Sequence, residues 1–368
     1  MLSKLFAKDG TKSVIASLIS IFFGLVVGFI IILIFAPSEA LEGFGILLSG
    51  GFYRGTESFS QMIYLSIPIM MTGLCVAFAY KTGEFNIGVP GQYLIGSFVA
   101  MYISIRWTFI PDSLVWIVAV LCAGLAGALW ALIPGFLKAF KNVNVVISGI
   151  MCNYICLLLV IQGIKSTIYN STGAESMTIP ESRSLPRTPL DSLLSTGDSN
   201  LRFVVAFLIA VGLCILAWII MNKTQFGYEL KAVGFNKDAA KYAGMNEKKT
   251  LILALATAGF FAGVGGALPY LCGSGKTLQI TEVLPDEGFN GIPIALLGFS
   301  NPIGCIFAAL FMGYINVGGN YLQSLNIAVE VIQIITGVII YFASFTLFIK
   351  HVFAKHEANK RKKEEGKV

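Results

Sequence analysis

Residues 14–35 run for 22 residues without a charged side chain. At 1.5 Å of rise per residue, a helix of that length crosses the ~30 Å hydrocarbon core of a bilayer. Similar runs recur at 60–80, 114–133, 145–164, 203–221 and 251–271, and 327–348 is another with one charge, Glu330. Inside lipid the backbone must satisfy its own hydrogen bonds, which leaves helices as the form these runs can take. The chain is 56% hydrophobic and only 12% charged, against about 25% charged in soluble domains. The expected fold is an all-α polytopic membrane bundle. The first run is too long for a cleavable signal and lacks a small-residue cleavage site at its end, so it reads as an uncleaved helix.

Two stretches do not fit simple spans. Residues 81–96, KTGEFNIGVPGQYLIG, place Gly83, Gly88, Pro90 and Gly91 between apolar runs. Glycine carries a backbone entropy cost in a helix, and proline removes a donor. A helix restarting near Gln92 and running to Arg106 would be too short to cross, so part of 84–91 is expected at membrane depth as irregular backbone. A tight turn at the membrane surface is the alternative. Residues 288–322 hold Gly291, Pro293, Gly298, Pro302 and Gly304. They predict a re-entrant half-helix around 294–299 and a longer helix from Ile303. Counting both, the bundle has about ten membrane segments. The pair Phe85–Asn86, followed by Gly88 and Pro90, is echoed by Phe289–Asn290, followed by Gly291 and Pro293, a possible inverted repeat around a midplane site.

Orientation follows from basic residues. With the N-terminus inside, inner segments carry 19 Lys and Arg and outer segments 7, a positive-inside bias that puts both termini in the cytosol. The net charge of +6 belongs to this topology and to a basic tail at 350–368, and does not point to nucleic acid. Residues 1–349 then form the membrane domain, with 165–202 the long outer loop and 222–249 the large inner loop. Within the inner loop, Asn236 can cap a short helix over 237–243 and Gly244 can end it. Ala239, Ala240 and Ala243 give that helix a small-residue face suited to close docking. Attachment of its lysines to anionic membrane lipid is the alternative.

Several chemistries are excluded. His351 and His356, the only histidines, lie in the tail, so no histidine-based metal or catalytic site fits within the bundle. The string GSGKT at 273–277 lacks the glycine that a phosphate loop needs at position 270, which is Tyr. No cofactor is expected on this chain. The seven cysteines read mostly as small buried side chains. Glu330, near the start of the last span, reads as an interfacial carboxylate. Asn153, Asn316 and Asn320 could bind solute hydroxyls or join neighbouring helices.

Three motifs carry a resemblance: GEFNIGVPGQYLIG at 83–96, FGYELKAVGFNKDAAKYAG at 226–244 and GFNGIPIALLGFSNPIG at 288–304. In order and spacing they resemble permeases of ATP-binding-cassette importers, in the subfamily that includes ribose and branched-chain amino-acid permeases. The chain is most similar to the nucleoside branch, in its long form with an extra N-terminal helix. Family members often carry an acidic residue where this chain has Pro90, so no role of that carboxylate carries over.

The resemblance implies a permease subunit in a bacterial inner membrane, forming half of a pathway for a small polar solute. Nucleosides are the implied solute, with ribose or another simple sugar as the alternative. The implied partners are a second permease (giving a heterodimer), a cytosolic ATPase that holds ATP and Mg, and an extracellular binding lipoprotein or periplasmic protein. Asn86, Gly88, Gly91, Gln92 and Asn290 would line the pathway. Gly227, Lys231, Gly234, Asn236, Ala239, Ala240 and Gly244 would couple to the ATPase. An ion-coupled secondary transporter is the reading from a different class. The chain itself would not be an enzyme.

Overall fold

The computed structural model describes residues 9–194, 201–325 and 327–345. The basic tail at 350–368 lies outside them. Fourteen α-helices are present among the described residues: α1 (Asp9–Phe35), α2 (Ala40–Ser49), α3 (Thr56–Tyr80), α4 (Val89–Arg106), α5 (Asp112–Lys141), α6 (Val145–Thr167), α7 (Pro189–Leu194), α8 (Phe203–Lys223), α9 (Gln225–Phe235), α10 (Lys237–Tyr242), α11 (Glu247–Leu271), α12 (Asp286–Leu297), α13 (Pro302–Tyr321) and α14 (Val329–Ser344). The one sheet among the described residues is a hairpin of β1 (Tyr169–Asn170) and β2 (Glu175–Ser176). Among the described residues, six helices are long and apolar enough to cross a membrane: α3, α5, α6, α8, α11 and the stretch Pro302–Leu325. Shorter apolar segments at Ile19–Phe35 and Glu330–Ile339, with α4 and α12, complete an all-α membrane bundle.

The chain forms two units. The described parts of 1–53 and 314–368 make the first, in which α1 packs on α14. Cβ atoms built on Gly24 and Gly28 would lie 3.0 Å from the Ile339 backbone and 3.3 Å from the Ile335 side chain, so these glycines let the helices close up. Tyr314 packs edge-on against Phe52. Glu330 is exposed in the first turn of α14.

Residues 54–313 make the second unit, with α11 and α3 at its centre. The α3 window is 89% buried and that of α11 72%, against 28% for α8. Glycine permits the crossings. A Cβ on Gly259 would fall 2.4 Å from the Gly127 carbonyl oxygen of α5, and one on Gly96 of α4 would fall as close to the Gly263 carbonyl. Without a hydrophobic drive between helices in lipid, close packing of this kind supplies the attraction.

Helix boundaries differ from the expected ones at both irregular stretches. Helix α4 starts at Val89, not Gln92, because Pro90 occupies its first turn, where a missing N–H costs nothing. Helix α12 starts at Asp286 and ends at Leu297, earlier than 294–299. The preceding Pro285 and the acidic pair Asp286 and Glu287 mark its N-terminus. Pro68 is accommodated inside α3. The segment 222–249, expected to hold one short helix, holds two, α9 and α10.

Candidate functional site

The first break runs from Lys81 to Gly88 within the second unit. Thr82 N–H and Gly83 N–H still bond to Ala79 and Tyr80 carbonyls, both at 3.0 Å, and Gly83 then turns at φ +77°. Residues 84–87 lie outside both helices, and side chains pair the backbone at the end of this stretch. Gly88 N–H donates to Asn86 Oδ1 at 2.9 Å, and Asn86 Nδ2 donates to Gln92 Oε1 at 3.2 Å. Asn153 of α6, 62 residues downstream of Gly91, closes the rest. It accepts from Gly91 N–H at 2.9 Å and donates to the Ile87 carbonyl at 2.9 Å. Asn86, Gln92 and Asn153 are each at most 1% exposed.

Irregular backbone that is buried survives only when it is paired, and these amides pair it. They also fix the glycines. A Cβ on Gly91 would lie 2.8 Å from Asn153 Oδ1 and 3.0 Å from its Cα. Of the five residues expected along a pathway, Asn86, Gly88, Gly91 and Gln92 come together here, buried and turned to one another. Asn153, expected to serve either solute or helix packing, holds the break together.

The second irregular stretch begins with α12, whose first turn packs on the first turn of α4, next to the first break. Gly288 of α12 packs on Pro90, where a Cβ would fall 2.5 Å from the Pro90 Cα. Thr72 Oγ1 of α3 donates to the Glu287 carbonyl at 2.8 Å. Asn290 lies one turn further along α12 and is half-buried, beside an exposed Phe289. The helix stops at Gly298. Phe299 and Ser300 take positive φ values before α13 begins.

The GSGKT string folds onto this region. Lys276 Nζ donates to Glu287 Oε1 at 2.7 Å and lies 5.3 Å from the Tyr270 ring centroid. Tyr64 donates to Ser274 Oγ at 3.1 Å. A cavity of about 250 Å³ opens beside it, with Leu94, Val160, Tyr270, Lys276 and Glu287 in its walls. Hydrogen bonds from Thr277 and then Gln279 hold Glu175, on the β-hairpin, below the usual carboxylate range.

The lysine-rich segment is built differently. Thr224 caps α9 by accepting from Gly227 N–H at 3.2 Å, and Asn236 caps α10 by accepting from Ala239 N–H at 3.0 Å. Gly244 ends α10 at φ +83°. Gly227 and Gly234 face inward. A Cβ on Gly227 would strike the Ile220 carbonyl, and one on Gly234 the Lys81 carbonyl. Lys231 Nζ donates to Asn222 Oδ1 at 2.8 Å.

Ala240 departs from its expected place on a docking face. It is 4% exposed and packs into the chain, because the capped start of α10 turns that position inward. The outward face instead carries Ala239, Ala243 and the aromatics Phe235, at 95% exposed, and Tyr242, at 98%. A groove of about 710 Å³ lies alongside, with Tyr228, Glu229, Gly244 and Lys249 on its walls.

Residues 58–344 match the family of permease components of branched-chain amino acid transport systems. Over 345 residues the chain is 35% identical to the guanosine ABC transporter permease NupP of Bacillus subtilis, covering 92% of this chain and 95% of the relative. It is 33% identical to the nucleoside ABC transporter permease NupB of Lactococcus lactis, over 95% and 96% of the two chains. The glucose ABC transporter permease TsgB13 of Haloferax volcanii is 29% identical over 79% of this chain and 77% of its own length. A second permease from each of the first two organisms also matches, NupQ at 27% and NupC at 25% identity, each over 69% of this chain and 79% of the relative. Crossing helices, paired breaks and the match along nearly the whole length agree, and they displace the ion-coupled alternative. The chain is a multi-pass membrane permease of the ABC-transporter family that includes the branched-chain amino-acid transport permeases.

Proposed function

We propose that this chain is one permease subunit of an ATP-driven importer of nucleosides. The observation that carries this reading is the match to NupP and NupB, which extends over more than nine-tenths of all three chains. TsgB13 supports a sugar as the second reading. The existence of two permeases in each nucleoside system's organism supports a heterodimer. ATP and Mg belong to a separate cytosolic ATPase, and solute arrives from an extracellular lipoprotein or a periplasmic binding protein. Both termini and the segment 222–249 face the cytosol of a bacterial cell, and 165–202 faces outside, in accord with the distribution of lysine and arginine.

The pathway runs where the first turn of α12 packs on the first turn of α4. Asn290, half-buried on a half-helix, is the side chain placed to meet solute in this conformation. Asn86, Gln92 and Gly88 form the wall behind it, held by Asn153. A carboxamide suits ribose hydroxyls and base edges because it both donates and accepts. The ATPase docks on the outward face of α9 and α10, through Phe235, Ala239 and Tyr242, while Gly227, Gly234 and Ala240 seat that face on the membrane domain.

The test is uptake by proteoliposomes holding the assembled complex, with labelled nucleosides, ribose and glucose. ATP-dependent nucleoside uptake that neither sugar competes away is the expected result. Sugar uptake without nucleoside uptake would replace this reading with the second one.

A further inference from the structure

Glu84 stands in the first break, two residues before Asn86, and its carboxylate has no part in the amide network described above. Its Oε1 accepts from Lys237 Nζ at 2.5 Å and lies 3.3 Å from Lys138 Nζ. Lys237 is the first residue of α10, and Lys138 sits in the last turn of α5. One carboxylate oxygen of the break therefore joins the docking segment to the membrane bundle.

The backbones meet at the same place. A Cβ on Gly234, in the last turn of α9, would lie 2.0 Å from the Lys81 carbonyl oxygen, and one on Gly83 would lie 3.3 Å from the Gly234 carbonyl. No side chain separates the two segments there, so a displacement of α9 and α10 bears directly on 81–84. Residues 84–87 lie outside both flanking helices and follow such a displacement more readily than a helix would.

The charges suit a contact that forms and breaks. The Glu84 side chain is 10% exposed and that of Lys138 is 19%, so the attraction between them is only partly screened. Lys237 is 41% exposed and opens onto a cavity of about 220 Å³ that Lys138 also lines. Water can therefore reach the lysine when the pair parts, which lowers the cost of separation.

We propose that Glu84 is a positioning residue, an ionic latch that ties α10 to the first break so that movement of the docked ATPase is passed to the pathway wall. This rests on the reading that α9 and α10 receive the ATPase.

The test uses the full complex in proteoliposomes and reads solute imported per ATP hydrolysed, for the unaltered chain and for Glu84→Gln, Lys237→Gln and the two combined. Each single variant is expected to lower that ratio roughly three- to tenfold, the range for a charge-assisted bond in a partly exposed setting. The double variant should be no worse than the more severe single one, since residues that act through one contact are not additive. Complex recovery and ATP hydrolysis should stay near those of the unaltered chain. Multiplying losses in the double variant would overturn the latch, as would recovery falling in step with uptake for Lys237→Gln.

If Glu84→Gln yields no complex, Lys237→Gln is compared with Lys241→Gln on the same helix, and equal losses would overturn the proposal. Absence of ATP-driven uptake of every solute by the unaltered complex is a separate failure, that of the functional reading.

Discussion

The break at 81–88 and the segment 224–244 use the same vocabulary of Asn, Gly and short helices to opposite ends. In the break, the amide that satisfies Gly91 N–H comes from Asn153, on another helix. In the segment, the amide that satisfies Ala239 N–H comes from Asn236, three residues away. The difference is solvent. Water can complete the free carbonyls and N–H groups around α10, so a local cap is enough. Gly91 is buried and Ile87 half-buried, so the fold brings them one partner, 62 and 66 residues downstream in sequence. The contrast extends to side chains. The break hides Asn86 and Gln92 completely, whereas the segment displays Phe235 and Tyr242 almost whole.

The largest effect is expected at Gly91. Valine there places a Cβ 2.8 Å from Asn153 Oδ1 and 3.0 Å from the Asn153 Cα, and further methyl groups in a filled space. Overpacking of this kind costs about 1–3 kcal/mol, and here the break's hydrogen bonds are lost with it. Gly91→Val should leave little recoverable protein and no uptake. Full recovery with an unchanged melting temperature would mean that the break is looser than its geometry.

Asn153→Leu removes both bonds at once and strands a buried N–H and a part-buried C=O. Each unsatisfied group costs about 1–3 kcal/mol. Thermal unfolding of the purified complex in detergent should shift down by several degrees, with uptake falling in parallel. Asn236→Ala sharpens the contrast, because the same loss at an exposed cap costs about 1 kcal/mol. The membrane bundle should melt as before, while α10 frays and the ATPase is recovered in reduced amount. If the two asparagines gave equal shifts in melting temperature, solvent would not be what separates the two regions.

How legible each region was follows the same division. The cap at Asn236 and the stop at Gly244 could be read from residues a few positions apart, and so could the uncharged spans. Helix α9 was missed although Thr224 stands three residues before Gly227 and the inward positions Gly227, Leu230 and Val233 follow helical spacing. That signal was present but obscured by the lysines. That Asn153 joins neighbouring helices was one of the two roles its sequence offered, but its partner could not be read, because no local pattern names one across 62 residues. Glu84 was missed for the same reason. Its lysines lie 54 and 153 positions away, and only the fold brings them to one oxygen. Ala240 was misplaced by less, since helical periodicity gives the spacing of a face but not which face turns inward.

The smallest effect on the fold is expected at Tyr242, and it bears most directly on what the exposed region is for. At 98% exposure the side chain gives up almost no burial on truncation, and surface substitutions of this type usually change stability by less than about 0.5 kcal/mol. Tyr242→Ala should therefore leave expression, melting temperature and recovery of the partner permease unaltered. An aromatic side chain held out on a short capped helix is, however, the kind of group that anchors a protein interface. Loss of the copurifying ATPase from Tyr242→Ala, together with uptake, would make this side chain part of the docking face. Retention of the ATPase in the usual ratio would show that α10 docks through its small residues alone, with Ala239 and Ala243 making the contact and the tyrosine left at its edge.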